Sequence, residues 1–315
     1  MSFKVPNKKF KEANETGFSK QGKSQGSRLV NRDGSFNVIR TGQPFFKSFN
    51  FYNELILLSW TNFTLFVLAF YFVVNLIFGI IYYLIGIENL GGAIADTEID
   101  KFLEAFFFST QTFATVGYGR INPTGVFTNF LASIEALFGV LSLALVTSLL
   151  YSRFAKPKIN LIFSENIIVA PYKDIKAIMF RFANTTRQQL LECEVQLMIS
   201  FKLEENGKLT QKYVQLPLEV SKAAALALNW TIVHALNDES PLKDFTQADY
   251  LKSDMEFIIS IKAFDNTYSQ VVYDRYSYKS SEMVFGVKFV IPFHPSDDGI
   301  STVLELDKIG LYEKV

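Results

Sequence analysis

The pattern of apolar and polar positions divides the 315-residue chain into stretches of different period. From Leu55 to Ile87 no charged residue occurs, and the run from Trp60 to Gly86 exceeds the roughly 20 residues that cross a hydrocarbon layer of about 30 Å. This predicts a first spanning helix over about 60–86. The run VFTNFLASIEALFGVLSLALVTSLLYS carries one carboxylate, Glu135, and predicts a second span over about 126–153. Between them DKFLEAFFFSTQTFAT is apolar but too short to cross. A re-entrant helix over about 100–113 is therefore expected, with an irregular continuation that lines a water-filled path. Ahead of the first span, residues 43–58 put Phe45, Phe49, Tyr52 and Ile56 on one helical face, as in a helix lying along a membrane surface.

Past Arg153 the period shortens to two. Segments such as NIIVAPY, MEFIISIKAF and SQVVYDRYSY, with Asn206-Gly207 as a hairpin turn, predict an antiparallel β-sandwich over 155–315. The fold class is α + β: two membrane helices with a re-entrant helix, then an immunoglobulin-like sandwich. Domains are expected at 1–42 (a flexible leader), 43–58 (the interfacial helix), 59–154 (the spans) and 155–315.

Composition and charge set the orientation. Hydrophobic residues make up 49% of the chain and Phe alone occurs 32 times, which fits a membrane protein. The net charge is zero, yet residues 1–47 hold ten Lys/Arg against three Asp/Glu. Arg153, Lys156 and Lys158 follow the second span, while the linker between spans carries Glu88, Asp96, Glu98, Asp100 and Glu104. Positive residues stay inside, so both termini are expected in the cytoplasm. The leader could also add an edge strand to a neighbouring sandwich. Cys193, His234 and His294 are too few for a disulfide framework or a His/Cys metal site and read as packing or strand residues. No nucleophile–base pairing or phosphate loop appears, so neither enzymatic activity nor a cofactor is expected.

The chemistry concentrates in Thr115-Val116-Gly117-Tyr118-Gly119. Such a stretch supplies backbone carbonyls at successive levels, with the Thr115 hydroxyl at the inner end, and these can replace the water around a potassium ion. Gly117 and Gly119 permit the left-handed backbone that turns successive carbonyls to one axis. Val116 and Tyr118 are expected to point away into packing that holds the diameter. One chain cannot enclose an ion, so a homotetramer is expected, with K+ held at Thr115, Val116, Gly117 and Tyr118. On the second span Leu143, Thr147 and Tyr151 share a face, which either lines the pore, with Tyr151 as the narrowest ring, or packs on the first span. Gly139 offers a hinge or a close helix approach. Glu135 is a lone intramembrane carboxylate, expected to bond the pore-helix region rather than the ion.

The order of interfacial helix, span, Thr-Val-Gly-Tyr-Gly, span, AKPK (Ala155 to Lys158) and sandwich resembles the inward-rectifier (Kir-type) potassium channels. TIVHALNDESPL, Thr231 to Leu242, looks like that family's cytoplasmic signature. The likeness covers about residues 43–290, and AFFFSTQTFATVGYG resembles a prokaryotic member in a bacterial inner membrane. It implies a narrow cytoplasmic loop at Lys262, Ala263, Phe264, Asp265, Asn266 and Thr267. It also implies lipid head groups, among them those of anionic phospholipids, held by Lys47, Arg153, Lys156 and Lys158. No nucleic-acid partner is implied.

Four departures from the family pattern stand out. Gln111 replaces the usual Glu behind the filter, and Arg120 follows the filter where an acid is frequent; a ring of Arg120 would disfavour cations at the outer mouth. Leu143 and Lys262-Ala263 occupy positions that carry acids in strong rectifiers. Weak rectification and modest conductance are therefore expected. A membrane-anchored sensor that keeps the pore fold without conducting is the alternative.

Overall fold

The computed structural model describes residues 28–39, 41–42, 50–157, 159–205 and 208–315. The expectations for Lys47, Lys158, Phe45, Phe49, Asn206-Gly207 and residues 1–27 lie outside the described residues. Two compact units emerge, one from Thr41–Lys156 and one from Met1–Arg40 with Pro157–Val315.

The first unit is helical. Helix α1, Phe51–Leu57, starts where the Asn50 side chain accepts the Asn53 amide; residues 43–49 of the expected interfacial helix lie outside the described residues. Helix α2, Trp60–Ile85, is capped by Ser59 and stopped by Gly86 at φ 105°. Helix α3, Glu98–Phe113, opens with a reciprocal Thr97/Asp100 cap. Helix α4 runs Gly125–Phe154. Helices α2, α3 and α4 lie on the three apolar runs, within two residues of the ends read from them. Helices α2 and α4 are both long and apolar enough to cross a membrane.

Helix α3 is held between the two long helices by small residues. A side chain on Gly79 of α2 would stand 3.0 Å from the Phe106 Cα, and one on Gly139 of α4 would stand 2.0 Å from the Phe113 carbonyl oxygen. Gly139 is thus a point of close backbone approach within an unbroken helix, the second of the two roles its mid-helix position allowed. Tyr82, Ala105, Phe108 and Ala132 pack around this junction. Short strands β1, Leu90–Gly91, and β2, Asn122–Pro123, pair and tie the segment after α2 to the segment after Gly119.

The second unit is built around two five-stranded sheets. Strands β3 to β7 span Leu161–Phe163, Ile167–Tyr172, Ile175–Asn184, Leu190–Glu205 and Lys208–Leu216. Strands β8 to β11 span Lys222–Ala225, Asn229–Ala235, Glu256–Asp265 and Gln270–Lys279, with helix α5, Gln247–Lys252, before β10. Strands β12 to β16 are three-residue pieces starting at Met283, Val287, Phe293, Thr302 and Tyr312. One sheet has the order β11-β10-β6-β7 with β8 also on β6, and the other β12-β4-β5-β3 with β9 also on β5. In two smaller sheets β13 pairs with β16 and β14 with β15.

Alternation decides which face is buried. Cys193, Val195, Leu197, Ile199 and Phe201 of β6 share one core with Phe257, Ile259 and Ile261 of β10 and with Ile178, Phe180 and Phe182 of β5.

Residues 28–39 belong to this unit. Val30 is fully buried and bridges Phe36, and the Leu29 and Val30 amides donate to the Glu256 carboxylate at 2.9 and 3.1 Å. Arg28 and Arg32 both pair with Glu282. Burial alone would raise the Glu282 carboxyl, but the Lys279 amide and the two arginines hold it below its usual range. The described part of the leader, residues 28–39, is thus fastened to its own chain by these bonds.

Candidate functional site

The segment Thr115–Gly119 leaves the C-terminal end of α3 with its amides turned backward. The Val116 and Gly117 amides donate to the Gln111 carbonyl at 2.9 and 3.3 Å, and the Thr115 amide to Thr112 at 3.0 Å. In a trans peptide the carbonyl lies opposite the following amide, so the Thr115 and Val116 carbonyls face away from the helix. Positive φ occurs at Thr115 (56°), Gly117 (55°) and Gly119 (84°) but not at Val116 or Tyr118. This alternation keeps successive carbonyls on one side of the ribbon. The two glycines were foreseeable from sequence; left-handed backbone at Thr115, a β-branched residue, was not.

Gln111 supports the Thr115–Gly119 segment through its main chain, and no hydrogen bond of its side chain appears among the described residues. Val116 is 52% and Tyr118 79% exposed, so the packing expected behind them does not come from their own chain.

Arg120 departs from its expected role. One guanidinium nitrogen lies 2.9 Å from the Glu104 carboxylate and the other donates to the Gly92 carbonyl at 3.3 Å. The hydrogen bond that Arg120 donates to Glu104 raises the guanidinium above its ordinary value, and the charge expected to repel cations is offset by the acid beside it. The pair is invisible in sequence because its members are 16 residues apart.

Glu135 is fully buried and bonds pore-helix Ser109, as expected, and also Tyr82 of α2 at 2.7 Å. Leu143, Thr147 and Tyr151 are exposed within the chain, with Leu143 at 65% and Tyr151 at 73%, so this face does not pack on the first span. The packed face of α4 is Thr128, Ala132, Glu135, Gly139 and Ser142.

The basic residues split. Arg153 donates to the carbonyls of Leu55 (2.7 Å), Ile56 (2.9 Å) and Leu58 (2.7 Å), and its guanidinium lies over Trp60 and Phe63 at 4.7 and 4.6 Å. These carbonyls close the C-terminal end of α1, where a cation is favoured. Arg153 is thus a helix clamp and is withdrawn from the head-group set expected for it. Lys156 is exposed and stays in that set.

The expected cytoplasmic loop is mostly strand. Lys262, Ala263, Phe264 and Asp265 lie in β10, with Ala263 1% exposed and Asp265 fully buried, so neither can line an open path. The Asp265 carboxylate accepts the Thr267 and Tyr268 amides and closes a turn. Lys262, Asn266 and Thr267 are the exposed residues of the set.

His234, within TIVHALNDESPL, is a structural residue. Its Nδ1 meets the Pro217 carbonyl at 2.6 Å and its Nε2 the Ser240 hydroxyl at 2.8 Å, while the Leu242 amide donates to the same Ser240 oxygen. Burial pushes the imidazole below its ordinary value.

Residues 161–302 match the family described as inward rectifier potassium channel C-terminal domain, and residues 70–156 the family described as ion channel. The chain is 31% identical to the inward rectifier potassium channel Kirbac3.1 of Paramagnetospirillum magnetotacticum, over 86% of this chain and 91% of that one. It is 25% identical to ATP-sensitive inward rectifier potassium channel 12 of Gallus gallus, over 84% of this chain and 66% of that one. With G protein-activated inward rectifier potassium channel 2 of Mus musculus it shares 24% identity over 88% of this chain and 69% of that one.

Proposed function

The chain belongs to the inward-rectifier potassium channel family, and we propose that it conducts as a homotetramer whose filter is Thr115–Gly119. It is a membrane protein and a potassium channel of inward-rectifier type. The observation that carries the filter assignment is the row of carbonyls turned from α3, on a ribbon whose Val116 and Tyr118 find no packing in their own chain. Four such ribbons around an axis would cage a dehydrated potassium ion and cover one another's exposed sides.

Both termini lie in the cytoplasm in this reading, supported by the basic leader and by the acids between the spans. The exposed face of Leu143, Thr147 and Tyr151 lines the inner cavity, with Tyr151 as the closing ring. Rectification is weak, because Leu143 and Lys262 offer no negative ring to a blocking polycation. Lys156 contacts lipid head groups, and anionic phospholipid modulates opening. The pairing of Arg120 with Glu104 removes the reason for reduced conductance.

Rubidium uptake into proteoliposomes tests the reading. Uptake that barium blocks, and that sodium does not replace, is expected; uptake equal to that of empty vesicles would contradict it.

A further inference from the structure

The surroundings of Glu135 fix where the protons are. Asn75 donates its Nδ2 to the Tyr71 carbonyl at 2.7 Å, and a carbonyl can only accept, so Asn75 turns its Oδ1 to the Ser109 hydroxyl 3.1 Å away. That oxygen is also an acceptor only, and it takes the single proton of Ser109. The Ser109 oxygen then meets Glu135 Oε1 with lone pairs, and a hydrogen bond between them needs a proton on the carboxyl. Tyr82 donates to the other carboxyl oxygen at 2.7 Å.

An ionised Glu135 would take both hydroxyl protons instead. Asn75 Oδ1 would then face the lone pairs of Ser109 with no donor, in a place where Asn75, Ser109 and Glu135 are all fully buried. A buried acceptor left without a partner is costly. Tyr82 is the titratable group that meets Glu135 from α2, α3 presents the uncharged Ser109, and no cation pairs with the carboxyl among the described residues.

We infer that Glu135 is held as a neutral carboxylic acid that donates to Ser109, and that the relay Glu135, Ser109, Asn75, Tyr71 positions the pore helix behind the filter. The relay joins α4 to α3 and α3 to α2. Ser109 stands two residues before Gln111, whose carbonyl holds the Val116 and Gly117 amides. A shift of α3 about this point would move the filter carbonyls with it. In this respect the inference rests on the assignment of Thr115–Gly119 as the filter.

Infrared difference spectra between the parent protein and Glu135→Gln, in lipid at neutral pH, read the proton directly. A protonated-carboxyl band present in the parent and absent from the variant is expected; a carboxylate band in its place would overturn the neutral acid. Ser109→Ala removes the acceptor of that proton, so the band is expected to move, and an unmoved band would overturn the relay. The Gln amide can donate to Ser109 and accept from Tyr82, so Glu135→Gln is expected to keep potassium-over-sodium selectivity. Glu135→Ala and Ser109→Ala are expected to lower it about tenfold, the equivalent of one lost buried hydrogen bond. Unchanged selectivity in both would remove the positioning role. The infrared bands report the proton whether or not the protein conducts, so failure of the channel assignment leaves that reading intact.

Discussion

In the β-unit, Phe180, Phe182, Phe201, Phe257 and Tyr278 are sealed from solvent by their own chain; in the helical unit, Val116 and Tyr118 of the proposed filter stand open. Both units are rich in aromatics, but they use them differently. The β-unit closes a core between two sheets, so its stability is a property of one chain. The helical unit spends its internal contacts on fixing α3 between α2 and α4 and leaves the Thr115–Gly119 ribbon open on its own chain. The difference teaches that the Thr115–Gly119 ribbon is positioned from behind by its own chain, and that the sides its own chain leaves open are where the copies of the proposed tetramer would meet it.

The change that breaks the comparison most severely is Gly139→Ala. The added methyl would fall 2.0 Å from the Phe113 carbonyl oxygen, a backbone atom at the root of the filter. Overpacking of this kind costs roughly 1–3 kcal/mol or more, and here it displaces α3 itself. Potassium flux is expected to fall by more than about tenfold, while β-sheet content by circular dichroism is unchanged. Retained flux would show that the approach of α4 to α3 is looser than described.

Arg153→Ala comes next. It removes three charge-assisted hydrogen bonds to the end of α1, with an expected loss on the order of 2–4 kcal/mol in thermal unfolding. Lys156→Ala is expected to leave the unfolding midpoint in place and to weaken binding to anionic vesicles. The reverse pattern would return Arg153 to the lipid and take away the clamp.

The smallest effect belongs to the β-unit and concerns pH. The folded imidazole of His234 is held neutral below its ordinary value, whereas the unfolded chain takes up a proton near pH 6.5. The folded state therefore binds fewer protons in that range. Stability from His234 is fully present above about pH 6.5 and is lost as the pH falls below it toward the folded value. Unfolding midpoints measured across this range should decline on acidification, and the decline should shrink in His234→Gln. An identical decline in the variant would place the titration elsewhere.

Much of this was legible in sequence, for physical reasons that are local. The spans are long uncharged runs, the sandwich strands alternate with period two, and the filter residues are contiguous, so each announces itself within its own window. What could not be read depends on pairs distant in sequence. Arg153 looked like a head-group ligand because nothing nearby reveals the carbonyls of Leu55, Ile56 and Leu58 almost 100 residues earlier. Arg120 looked unpaired because Glu104 lies on the far side of the filter segment. Gly139 suggested a hinge because a glycine in a helix does not say whether it bends the helix or admits a neighbour. Residues 28–39 looked like a flexible leader because their partners, Glu256, Ser277 and Glu282, lie more than 220 positions downstream.

The account stands on carbonyls of Thr115–Gly119 replacing the water of potassium and not of sodium. The reversal potential of the purified protein in a planar bilayer, with potassium on one side and sodium on the other, tests this most directly. A potential set by the potassium gradient is the predicted result; a potential near zero, with current carried equally by both ions, would contradict it.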